Sequence, residues 1–314
     1  MRYVRNLNSI NKNDVEIAGG KGASLGELIN SNIEVPGGFV ILSNAFEEFI
    51  KETDTTIEID SELDSINLKD INSINRASER INFAIVSKDI PKKIKDEIIK
   101  SYNQLKSKYV AVRSSATSED GANSAWAGQL DTYLNTSKEN LIMNIKRCWA
   151  SLFTPRALIY RLEKKLKKEK ISVAVVIQKM IDSSESGVAF SVHPITKDKN
   201  QLVIEACFGL GDAIVSGEII PDSYVLNKSD WRILDININN KVKGLFKEKN
   251  GENKWKQLKK KGGNQVLTKK EIVVLGKLVK MIEEHYKFPV DIEWAKRKDK
   301  FYILQSRPIT TLLD

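Results

Sequence analysis

Tyr109-Val110-Ala111-Val112-Arg113-Ser114-Ser115-Ala116-Thr117-Ser118-Glu119-Asp120-Gly121 is the stretch around which this chain is organised. Its first four residues read as a short buried strand, and the strand delivers one cation, Arg113, at its end. A dense run of hydroxyls follows in Ser114, Ser115, Thr117 and Ser118. A small-residue loop through Trp126 and Gly128 then leads to a second strand, Gln129 to Leu134. A guanidinium binds oxyanions through two parallel hydrogen bonds, so an arginine among hydroxyls and small residues suits phosphate oxygens. The same serines and threonines would equally satisfy their own backbone in a polar hairpin. Both uses stay open on this stretch alone.

Working outward toward the N-terminus, Gly19-Gly20-Lys21-Gly22-Ala23-Ser24-Leu25-Gly26 runs into a helical pattern through Leu28 and Ile29. Glycines at a helix start let backbone amides face an anion, and Lys21 would add a point charge. This is no Walker A loop, because Gly22 follows Lys21 and Val15 stands where the upstream glycine belongs; the kinase glycine-rich spacing fails at Leu25. Val35 to Ile41 reads as a turn and a buried strand. A helix from Asn44, with Glu47 as capping partner, carries Phe46, Phe49 and Ile50 inward. Residues 53–73 are acidic and rich in Ser and Asn, and read as a surface excursion. Pro91 opens a helix with Ile94, Ile98, Tyr102 and Leu105 on one face.

Downstream of the central hairpin, Thr136 and Glu139 form a capping box ahead of Leu141, Ile145 and Trp149. Thr154-Pro155 starts a further helix, which ends in the lysine-rich run Lys164–Lys170. The texture changes near residue 172, where apolar strands begin: Val173 to Ile181, Gly187 to Val192, and Leu202 to Ala206. Gly209-Leu210-Gly211-Asp212-Ala213-Ile214 begins like a dinucleotide fingerprint, but Ile214 replaces the third glycine and no later acid completes it. Thr268 and Glu271 cap a helix bearing Ile272, Leu275, Val279 and Ile282. A closing hairpin then runs from Val290 to Ala295, turns at Lys296–Lys300, and returns from Phe301 to Arg307.

Strand alternation puts Asp291 and Glu293 on one face of that hairpin and Gln305 with Arg307 on one face of its partner. A carboxylate beside an amide oxygen makes an open hard-oxygen site. Such a site suits Mg²⁺, which completes its shell with water and substrate phosphates. An exposed cross-strand polar pairing would use the same residues.

Bulk properties frame these readings. A chain of 314 residues can form two lobes, and 41% hydrophobic with 29% charged residues is an ordinary globular balance. The formal charge of +9 comes from lysines interleaved with acids. No aromatic-and-basic alternation points to nucleic acid. Cys148 and Cys207 are too few for a metal knuckle or disulfide framework. No signal region or long apolar run appears, so a cytoplasmic protein away from membranes is expected.

Taken together, the blocks resemble the N-terminal ATP-binding region shared by phosphoenolpyruvate synthases, pyruvate phosphate dikinases and rifampicin phosphotransferases. The matching blocks are Gly19 to Leu28, Val112 to Asp120, Ala127-Gly128-Gln129, Val176 to Met180, Gly187 to Ser191, Gly209-Leu210-Gly211, Asp291 to Ala295 and Gln305 to Pro308. The resemblance implies an α/β (α+β) fold of ATP-grasp type, in which two lobes clamp ATP. Residues 1–175 would form the lobe with the phosphate loops, and 176–314 the lobe with the adenine edge and the Mg-binding hairpin. It further implies that Lys21 and Arg113 hold the ATP phosphates, with Gly128 and Thr132 along the phosphate-facing hairpin and Gln178 near adenine. Glu293 and Gln305 would ligate Mg²⁺, and Arg307 would contact the phosphates in flight. Lys21, Arg113 and Arg307 are thus the candidate catalytic groups, and ATP and Mg²⁺ the expected cofactors.

Full-length members of that family carry a phosphohistidine domain and an acceptor-binding domain as well. The histidines of this chain, His193 and His285, sit in no such motif, so a separate domain or partner chain is expected to carry the phosphoryl group. The final acceptor would be pyruvate, an antibiotic or another small molecule. A stand-alone kinase with a small acceptor and a non-catalytic nucleotide sensor are the alternatives. Keeping metal ligands together with phosphate clamps speaks against the sensor.

Overall fold

The computed structural model describes residues 2–117, 131–163 and 172–309. The chain divides into two compact units, Met1–Asn30 with Gly37–Met180, and Ser31–Pro36 with Ile181–Asp314. Both are built from helices and antiparallel sheets, an α/β composition.

The first unit comprises β1 (Val4–Asn6), α1 (Val15–Asn30), β2 (Gly38–Ile41), α2 (Ser43–Glu52), α3 (Thr55–Asp64), α4 (Ile71–Ser87), α5 (Lys92–Leu105), β3 (Val110–Ala116), β4 (Thr132–Thr136), α6 (Lys138–Ala150), α7 (Pro155–Glu163) and β5 (Val173–Lys179). Its strands pair antiparallel in the order β1-β2-β5-β3-β4. Alternation divides the sheet into two unlike faces. Phe39, Ile41, Val110, Val112, Val175 and Ile177 point into a core completed by Phe46, Phe49, Ile98, Leu141 and Trp149. Trp149 stacks on Phe49 with ring centroids 5.0 Å apart. Each such fully buried side chain contributes roughly 1.5–3 kcal/mol by leaving water. The opposite face carries smaller or polar residues, Gly38, Val40, Ala111, Arg113, Ser115 and Gln178, and α1 runs along β3 and β5.

Three sequence expectations change here. Residues 53–73 are not an excursion: α3 and the start of α4 occupy them, and Ile59, Leu63 and Ile74 enter the core. The polar residues between these widely spaced apolar positions hid the helical period. Thr136 does not cap α6. Ser137 is the N-cap residue, while the Thr136 hydroxyl donates to the Tyr133 carbonyl and accepts from Asn144 Nδ2. Nor does a side chain cap α2, which starts after Leu42. The junction between units follows Met180. Residues 176–179 belong to the first unit because β5 is buried between β2 and β3.

The second unit holds β6 (Glu185–Phe190), β7 (Gln201–Phe208), α8 (Asp212–Val215), β8 (Asp222–Asn227), β9 (Ile233–Asn237), β10 (Lys243–Lys247), β11 (Asn253–Gln257), α9 (Lys269–Tyr286), β12 (Val290–Arg297) and β13 (Lys300–Pro308). Six strands pair antiparallel in the order β13-β12-β6-β7-β8-β9. One face is apolar, with Ala189, Leu202, Ile204, Tyr224, Val290 and Ile292 fully buried. Ile272, Leu275, Val279 and Ile282 of α9 are likewise buried, and Thr268 and Glu271 close the expected capping box at its start. β10 and β11 form a separate ribbon, tied to the main sheet where Leu210 N–H donates to the Leu245 carbonyl at 2.8 Å. Glu34 accepts from Ile303 N–H and pairs with Lys300, which holds Ser31–Pro36 against β13.

No helix among the described residues is long and apolar enough to cross a membrane. Cys148 and Cys207 are buried free thiols, and burial pushes each up to about 12. A thiol reagent at pH 8 is therefore expected to leave the native protein unlabelled and to modify it only after denaturation, as read by intact mass. Rapid native labelling of either cysteine would contradict this packing.

Candidate functional site

In the first unit, β3 sets Arg113 at the centre of a small constellation. Thr132 on β4 stands directly opposite Arg113, and Val176 on β5 flanks it on the other side. Gln178 lies two residues further along β5 on the same face, and Arg113 Nη1 donates to its Oε1 at 3.4 Å. Arg113 and Gln178 are 7% and 2% exposed, so a cation and an amide are held inside the protein. The Gln178 Nε2 group is buried with no hydrogen-bond partner among the described residues, a donor kept without an acceptor. Gln178 was expected in the second lobe beside adenine. In the structure it lies on β5 of the first unit's sheet, where its Oε1 accepts from Arg113.

The hydroxyl run has a structural employment. Ser114 Oγ donates to the carbonyl of Asp131 at 3.0 Å and lies 3.2 Å from Ser151 Oγ. Thr117 Oγ1 donates to the Ser172 carbonyl. Ser115 Oγ donates to the Ala18 carbonyl at 2.9 Å and accepts from Gly22 N–H at 3.2 Å. These hydroxyls satisfy backbone and neighbouring side chains, one of the two uses open from the sequence. Ser118 and Gly128 lie outside the described residues.

Those Ser115 bonds bring the glycine stretch to β3. α1 is broken at Gly19, whose φ of 68° is in the left-handed region. A Cβ there would lie 2.2 Å from the Ser115 carbonyl oxygen. Glycine meets both demands, the backbone angle and the close approach. Lys21 follows in the first turn of the resumed helix.

In the second unit a β-bulge at Glu293/Trp294 shifts the closing hairpin's register by one residue, so that Glu293 is directly opposite Gln305 and Asp291 is opposite Arg307. Arg307 holds a single oxygen of Asp291, Oδ2, through both Nε at 2.8 Å and Nη2 at 2.7 Å. Burial raises the Asp291 carboxyl above the usual range; Arg307 opposes the rise and the Glu293 charge adds to it. A residue the sequence reading passed over stands on the same face. Glu205 on β7 is in line with Glu293 across Val188 of β6. Its carboxyl too is raised, by burial first and by the Asp291 charge second. A lone acid in the apolar run Leu202 to Ala206 was the available signal. Among the described residues no group of three or more His, Cys, Asp or Glu could hold a metal ion. Glu293 and Gln305 offer a carboxylate and an amide oxygen, a donor set that fits Mg²⁺ only when other oxygens complete the shell.

The first unit thus holds a buried arginine on the strand that packs against a glycine-broken helix, and the second a carboxylate–amide pair with an arginine next to it. A family model described as "Pyruvate phosphate dikinase, AMP/ATP-binding domain" matches residues 15–314, and the chain belongs to that family. It is 42% identical to a "Probable phosphoenolpyruvate synthase" of Methanocaldococcus jannaschii, across 99% of this chain and 27% of that protein. A phosphoenolpyruvate synthase of Pyrococcus furiosus is 36% identical, across 99% of this chain and 44% of that protein. A rifampicin phosphotransferase of Bacillus subtilis is 36% identical, across 98% of this chain and 36% of that protein. The chain thus spans less than half the length of these relatives.

Proposed function

We propose that this chain is the Mg-ATP-binding part, of ATP-grasp type, of a phosphoenolpyruvate synthase-like dikinase, and that it passes a phosphoryl group to a histidine on a separate domain or chain. The observation that carries the reading is the register of the closing hairpin, which makes Glu293 and Gln305 direct neighbours with Arg307 one step along. In this reading Lys21, Arg113, Gly128 and Thr132 hold the phosphates, and Arg307 meets the phosphoryl group in transfer. Gln178 serves the nucleotide through its Nε2 donor. Glu293 and Gln305 would hold Mg²⁺, which when bound offsets phosphate charge. Phosphoryl transfer needs positioning and charge neutralisation more than covalent chemistry from the protein, and lysine and arginines supply both.

The histidines support an acceptor elsewhere. His193 Nδ1 accepts from the N–H groups of Ile195 and Thr196 at 3.3 and 3.2 Å, which makes it a turn cap. His285 Nε2 lies 3.2 Å from Ser31 Oγ at the surface. The test is incubation with Mg²⁺ and ATP, with and without a histidine-bearing domain taken from a full-length relative. AMP appearing only with that domain is the expected result. ADP would indicate an ordinary kinase, and binding without turnover a sensor.

ATP affinity should also depend on Mg²⁺, because two protein oxygens are too few to hold the ion without phosphates. Calorimetry is expected to give markedly tighter binding with Mg²⁺ than with EDTA. Equal affinities would remove the hairpin from the site.

A further inference from the structure

In an unbroken helix the Gly22 N–H would bond to the carbonyl four residues earlier, that of Ala18. In this chain a serine 93 residues from Gly22 takes the place of that bond: Ser115 Oγ accepts from Gly22 N–H and donates to the Ala18 carbonyl. The hydroxyl is a wedge in the ladder, a recognised cause of helix breaks. Gly19 absorbs the break with φ 68° and ψ 169°, and the helix resumes with Gly20 and Lys21 in its first turn. Ser115 itself is fully buried on β3, two residues beyond Arg113. Only a group that both donates and accepts, and is short enough for this gap, can serve. A hydroxyl does so; a methyl cannot.

We infer that Ser115 is a positioning residue: its hydroxyl holds α1 open at Gly19, and so fixes Lys21 and the amides of the resumed helix for phosphate binding. The inference rests on the ATP-binding reading of this chain. It separates Ser115 from the phosphate contacts its sequence neighbourhood suggested. Ser115 acts through Lys21 and touches no nucleotide itself.

The experiment is a calorimetric double-mutant cycle with Mg-ATP, using Ser115→Ala, Lys21→Met and the pair, with a melting curve for each. Ser115→Ala is expected to weaken Mg-ATP binding about tenfold, the size of one lost net hydrogen bond. In the Lys21→Met background the same change should have much less effect, because the group being positioned is gone. Ser115→Thr, which keeps the hydroxyl, should restore most of the affinity. Normal affinity for Ser115→Ala with a lowered melting temperature, or strictly additive effects in the cycle, would overturn the inference. Should Ser115→Ala fail to fold, Ser115→Cys keeps the shape with a weaker donor and should still weaken binding several-fold; unchanged affinity there would overturn it too. Absence of Mg-ATP binding by the unmodified chain would instead overturn the ATP-binding reading, a result distinct from a cycle in which only the serine is inert.

Discussion

Arg113→Lys is expected to slow phosphoryl transfer on the order of 100-fold while changing ATP affinity far less, the usual cost of losing one donor aimed at developing charge. Lysine keeps the positive charge but not the planar pair of N–H donors that matches two phosphate oxygens. The structure makes this exchange a demanding one. Arg113 is 7% exposed, faces Thr132 across the hairpin, and donates from Nη1 to Gln178. A lysine ammonium placed there would be a compact point charge with no fork to divide between the amide and a phosphate. If Arg113 only ties β3 to β5, the same change should lower the melting temperature and leave the rate per folded molecule intact. Melting temperature, nucleotide affinity and partner-dependent AMP formation measured on one preparation separate the two roles. Normal turnover in a less stable protein would take Arg113 out of the active site.

What the sequence disclosed about these residues follows from the range of the interactions involved. That Asp291 shares a face with Glu293, and Gln305 with Arg307, was legible from period-two alternation, but the direct Glu293–Gln305 pairing was not, because it depends on a bulge at Glu293/Trp294 that shifts the register by one residue. The α9 capping box was legible because Thr268 and Glu271 are only three residues apart. Ser115 was not: its two partners lie 97 and 93 residues away in the chain, and nothing local distinguishes a serine that wedges a helix from one that meets phosphate. Gln178 was assigned to adenine by resemblance, whereas its contact with Arg113 depends on β3 and β5 pairing across 65 residues. Glu205 belongs to the acidic face only through β6, which stands between it and Glu293. The helix over residues 55–64 was missed for another reason. Its inward residues Ile59 and Leu63 are too sparse to mark a stripe until the core they enter is known.

The largest stability effect is expected at a residue with no part in the chemistry. Asp222→Ala should destabilise the second unit by about 3–5 kcal/mol, the range for breaking a buried ion pair from one side. Asp222 and Lys241 have fully buried side chains and are paired with each other. Asp222 also accepts from Asn239 N–H at 3.1 Å, Val266 N–H at 2.8 Å and Tyr224 OH at 3.0 Å. It therefore ties the start of β8 to the segments that lead into β10 and α9. Alanine would leave the Lys241 ammonium to the Asn239 carbonyl at 2.7 Å without its carboxylate, and would strip two backbone N–H groups of their acceptor. The pair Asp222→Leu with Lys241→Met removes the stranded charge and should recover part of the loss. Full recovery is not expected, because each orphaned N–H of Asn239 and Val266 still costs roughly 1–3 kcal/mol. Denaturant unfolding of the two variants and of the unmodified chain provides the measurement. A single variant within about 1 kcal/mol of the unmodified chain, or a double variant no better than the single, would mean that the ion pair does not hold this unit together.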